Sequence, residues 1–128
     1  MILQKHEDLL KKEYKELREN RKVIVLGTGS LFRKMKHFFN IDIKNDIDCF
    51  VESSPAQHTF QGKQLISTEM LNSRVTKDEK AFVLVCSSAW SEIKVILGHE
   101  WLQRFDWYAP YDSKSWIFIK DDLPIVVL

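Results

Sequence analysis

Two short stretches of the chain are apolar at every position: Val23-Ile24-Val25-Leu26 and Ala81-Phe82-Val83-Leu84-Val85-Cys86. A strand with one wet face alternates apolar and polar residues, whereas an unbroken, β-branched run predicts a strand covered on both faces in a parallel sheet. Ile47 to Val51 reads as a further strand closed by Glu52, Lys63 to Ile66 as a short edge strand, and Asp106 to Ala109 as a fifth. Between them the period changes. Leu31, Phe32, Met35, Phe38 and Phe39 recur at the spacing of one helix face, with Arg33, Lys34, Lys36 and His37 opposite. Ser67 is placed to cap a brief helix through Leu71, and Ala89, Ile93, Ile96 and Leu97 mark another helix ending near Gly98.

Strands alternating with helices predict a three-layer, doubly wound α/β fold with right-handed crossovers and strand order 3-2-1-4-5. The domain spans residues 22–110. An extra amphipathic helix over residues 1–21 precedes it, with Leu3, Leu10 and Leu17 at sevenfold spacing beside Ile2, Leu9 and Tyr14. Its stripe either packs on the domain or pairs with a second copy. An apolar tail over residues 111–128 ends Ile125-Val126-Val127-Leu128 and must be covered by the domain or a partner. Helix and tail together give the expectation of a homo-oligomer or a partner subunit.

The glycine-punctuated segment after the first strand, Gly27-Thr28-Gly29-Ser30, sets the candidate chemistry. A first glycine allows a sharp turn off the strand, and a second lets a phosphate approach the main chain without meeting a Cβ. Ser30 or Thr28 is placed to cap the next helix, whose first N–H groups and positive dipole end favour an anion. In the predicted strand order the sheet reverses direction between the strands ending at Leu26 and Cys86, and ligands of such sheets bind in that crevice. The residues expected to face it are Gly27, Thr28, Gly29, Ser30, Glu52, Ser53, Ser54, Cys86, Ser87, Ser88 and Trp90. Glu52 follows Gly27 at about the 20-residue offset at which a carboxylate accepts from ribose hydroxyls.

Composition narrows the partners. The 128 residues carry 45% hydrophobic and 29% charged side chains with a net charge of +1, so no general field attracts nucleic acid or an anionic membrane. No apolar run reaches membrane-spanning length and Met1 leads into a charged segment, which predicts a soluble, cytoplasmic chain. Cys49 and Cys86 lie in apolar strands and are expected to be buried free thiols. Cys86 at a strand end, beside a helix start, also raises the alternative of a catalytic thiolate, though no histidine has an evident route to it. His6, His37, His58 and His99 lack metal-ligand spacing, and the turn lacks the Gly-Lys-Ser/Thr of a nucleotide-triphosphate loop.

From 22 to 110 the series V-I-V-L-G-T-G-S, D-C-F-V-E-S-S-P, F-Q-G-K-Q-L-I-S-T-E-M-L and F-V-L-V-C-S-S resembles a known group. It is similar to the small Rossmann-like domain that precedes the catalytic domains of bacterial sugar acyltransferases, and to domains attached to sugar dehydratases and methyltransferases. The middle carries the likeness: Glu52, Pro55, Gly62 with Lys63, then Ser67, Glu69 and Leu71. The resemblance implies a nucleotide or nucleotide-sugar binding module related to bacterial surface-sugar and polysaccharide biosynthesis, with Gly27, Gly29, Glu52 and the loop from Ser87 to Trp90 near the ligand. A nucleotide-sugar or an NAD-like dinucleotide is the implied cofactor. Phe32 stands where the dinucleotide fingerprint has its third glycine, which argues against a tightly held NAD pyrophosphate. The hexapeptide repeats that carry acyltransfer in that group do not occur in this sequence, so the expectation is binding without catalysis by this chain alone. Two alternatives stand beside it: an interaction subunit that has lost its ligand, and a fragment of an S-adenosylmethionine- or NAD-binding enzyme.

Overall fold

A computed structural model of the chain describes residues 4–73, 81–87, 95, 98, 103–109, 117–120 and 123–126. Its centre is a six-stranded, mostly parallel sheet. The two unbroken apolar runs become β1 (Val23–Leu26) and β5 (Ala81–Val85), which lie side by side in parallel. On the other flank of β1 is β2 (Ile47–Glu52), also parallel, and then β4 (Lys63–Ser67). The sheet order is β3-β4-β2-β1-β5-β6, with β6 formed by Phe105–Tyr108 and β3 by Thr59–Phe60.

Burial on both faces is what the continuous runs predicted. Val23, Val25, Phe82 and Leu84 join one core cluster, and Ile24, Leu26, Val83 and Val85 join the other. The first cluster is closed by two helices, α1 (Gln4–Arg18) through Leu10 and Tyr14, and α2 (Ser30–Phe38) through Phe32, Met35 and Phe38. The second is closed in part by Leu71 of α4 (Thr68–Ser73). Strand β2 carries an irregularity where it meets β1: Val23 pairs with Ile47 but Ile24 with Cys49, so Asp48 is an extra residue in the ladder. Asp48 is exposed while its two neighbours are buried. A bulge thus removes the only charge within β1 and β2's shared span from the core.

Several expectations need correction. Residues 63–66 do not form a sheet edge, because Thr59 and Phe60 pair antiparallel with Gln64 and Lys63 and cap that side as β3. Gln61 and Gly62, both at positive φ, make the two-residue turn that brings β3 back. The polar segment after α2 is not merely a terminator: Asp42 caps a one-turn helix, α3 (Ile43–Asp46), accepting from the Lys44 amide at 3.1 Å. Within the tail, β7 (Ile117–Lys120) and β8 (Leu123–Val126) pair as an antiparallel hairpin. The helix expected over 89–97 lies outside the described residues. Ser67 does cap α4, its Oγ accepting from the Met70 amide at 3.2 Å.

The leading helix packs on the domain through Leu10 and Tyr14, but Leu9 and Leu17 of the expected apolar stripe stay exposed. Its end is tied down by charge. Arg21 pairs with Asp106 at the start of β6 at 2.6 Å, and Arg18 pairs with Asp46 at 3.2 Å. Tyr14 stacks on Phe39 at 4.5 Å and meets Phe82 edge-on at 5.8 Å. Tyr108 donates to the Leu10 carbonyl at 3.4 Å and to Glu13 at 3.3 Å.

Two predictions follow from this core. Val25 is fully buried in the most enclosed strand, so Val25→Asp strands an unpaired charge. The cost of several kcal/mol against a total of about 5–15 should leave no cooperative urea transition by circular dichroism. The second concerns alkaline pH. Burial pushes the Tyr14 phenol up to about 12, with Arg18 partly opposing it and Asp46 adding to it. Burial also raises Tyr108, helped by the Glu13 carboxylate. Groups raised in the folded state keep their protons while the unfolded chain loses them, so this stability is complete below about pH 10 and is lost as the pH rises towards 12. Urea midpoints measured from pH 8 to 12 should fall over that window, and less steeply in Tyr14→Phe.

Candidate functional site

At the carboxyl ends of β1, β2 and β5 the backbone ladder runs on past the strands. The Gly27 amide donates to the Val51 carbonyl at 3.0 Å, and the Cys86 amide to the Leu26 carbonyl at 2.8 Å. These bonds fix three strand ends side by side and leave a cleft of about 380 Å³ above them. Its lining consists of Leu26 at the end of β1 with Gly27 after it, Val51 and Glu52 of β2 with Ser53 and Ser54 beyond it, and Ser87 beyond β5.

Gly27 is demanded twice over. Its φ is +111°, a conformation other residues rarely adopt. A Cβ there would also stand 2.5 Å from the Cys86 carbonyl oxygen, an impossible contact with main chain. Gly29 is different. It has an ordinary φ of −87° and nothing within 4 Å of where a Cβ would be, so neither backbone nor packing requires glycine.

Gly29 is the N-cap of α2, and no side chain caps that helix. The expectation that Ser30 or Thr28 would do so is corrected. Ser30 is the first helical residue and is exposed, while the Thr28 hydroxyl donates instead to the Glu52 carboxylate. Thr28 thereby fixes Glu52 at the cleft rim, a contact that residue spacing alone does not reveal. Phe32 explains the missing third glycine. It is buried between helix and sheet, edge-on to Phe50 at 5.0 Å and to Phe60 at 6.1 Å. An aromatic ring fills the space that a third glycine would close.

Of the expected site residues, Gly27, Glu52, Ser53, Ser54 and Ser87 line the cleft, Thr28 donates to Glu52, and Gly29 and Ser30, which begin α2, are not among the lining residues. Cys86 is buried and contributes its carbonyl rather than its thiol to the site. Burial pushes its thiol up, against the thiolate that the catalytic-cysteine alternative needs. Ser88 and Trp90 lie outside the described residues. Among the described residues no group of three His, Cys, Asp or Glu side chains is placed to hold a metal ion. No helix among them is long and apolar enough to cross a membrane.

No protein-family model, curated protein or solved structure matches this chain.

The two glycines should behave oppositely on substitution. Gly27→Ala forces both a positive φ and a clash with the Cys86 carbonyl, and should cost at least about 1–3 kcal/mol in urea denaturation. Gly29→Ser should leave the midpoint unchanged or raise it by a few tenths of a kcal/mol, by supplying the absent cap.

Proposed function

We propose that the cleft binds a phosphate-bearing small molecule, most consistently a nucleotide or nucleotide-sugar, and that the chain acts as a binding module of Rossmann-like type. The observation that carries this reading is the uncapped start of α2 beside a carboxylate that Thr28 holds in place. Helix N–H groups without a side-chain partner suit phosphate oxygens, and an oriented Glu52 suits ribose or sugar hydroxyls. Gly29 supports it further: a glycine that the fold does not require leaves the main chain open to close approach. Strand order β4-β2-β1-β5-β6 agrees with a crevice between β1 and β5, where the chain's crossovers change direction. Phe32 favours a mononucleotide-sized group over a dinucleotide, because α2 is held off the sheet by a ring. A role in bacterial surface-sugar biosynthesis rests on the sequence resemblance alone.

A second reading, an interaction subunit without a ligand, is favoured by Leu9 and Leu17, which remain exposed on α1. Thermal-shift titration with UDP-sugars, CMP-sugars, NAD and S-adenosylmethionine separates the two. A ligand at a hundred times its Kd stabilises by about 2.7 kcal/mol, a shift of several degrees. Gly29→Val should fold normally and lose the shift. Glu52→Ala should weaken hydroxyl-bearing ligands by ~1–3 kcal/mol while sparing inorganic phosphate. No shift with any of the four, with Gly29→Val indistinguishable from the parent, would favour the interaction subunit.

A further inference from the structure

We draw no further inference here: the strongest candidate, the surface patch on α1 where Leu9 and Leu17 stay exposed, supports no proposal, since nothing in the structure shows what covers it.

Discussion

The fold depends on β1 being enclosed on all sides at once. It is hydrogen-bonded to parallel strands on both flanks and buried on both faces, so its four residues have no freedom of register or tilt. The consequence appears at its end. With β2 and β5 fixed on either side, the chain leaving Leu26 must pass close to the Cys86 carbonyl, and only glycine fits. Close packing of three strand ends, rather than any ligand, therefore accounts for Gly27. The cleft above it is a by-product of the same constraint: strands locked in parallel end together and present their loops on one side.

The elements buried on both faces were the legible ones. Runs such as Val23 to Leu26 and Ala81 to Val85 admit one reading because no polar residue interrupts them, and the face of α2 follows from the spacing of Phe32, Met35 and Phe38. What stayed hidden was decided by few residues or by chain geometry. Strand β3 has two residues and no periodicity to detect; its existence depends on the turn at Gln61 and Gly62. The bulge at Asp48 depends on where β2 meets β1, which is a tertiary matter. In α1 the sevenfold spacing of Leu10 and Leu17 suggested one stripe, yet Leu10 packs inward with Tyr14 while Leu17 stays out. On a straight helix Leu17 lies only about 20° round from Leu10, so the spacing puts both on one face and cannot show how far along the helix that face stays covered.

The candidate site was legible in its main-chain part and less so in its side chains. Glycines report backbone conformation, so Gly27-Thr28-Gly29 marked the turn; the use of each polar side chain depends on neighbours brought from other strands. Thr28 shows why. Its position in the sequence suits a cap for α2, yet in the structure its hydroxyl donates to the carboxylate of Glu52.

That choice has a thermodynamic side. A side-chain cap is worth about 1 kcal/mol to a helix, and α2, with nine residues, is too short to stand without tertiary support. It forgoes the cap because the packing of Phe32, Met35 and Phe38 on the sheet already holds it. The Thr28 hydroxyl is then free to orient a partly exposed carboxylate, an interaction that contributes little to stability so near solvent. An arrangement that leaves a helix end open while the Thr28 hydroxyl holds a carboxylate at the cleft rim is not the one that maximises stability.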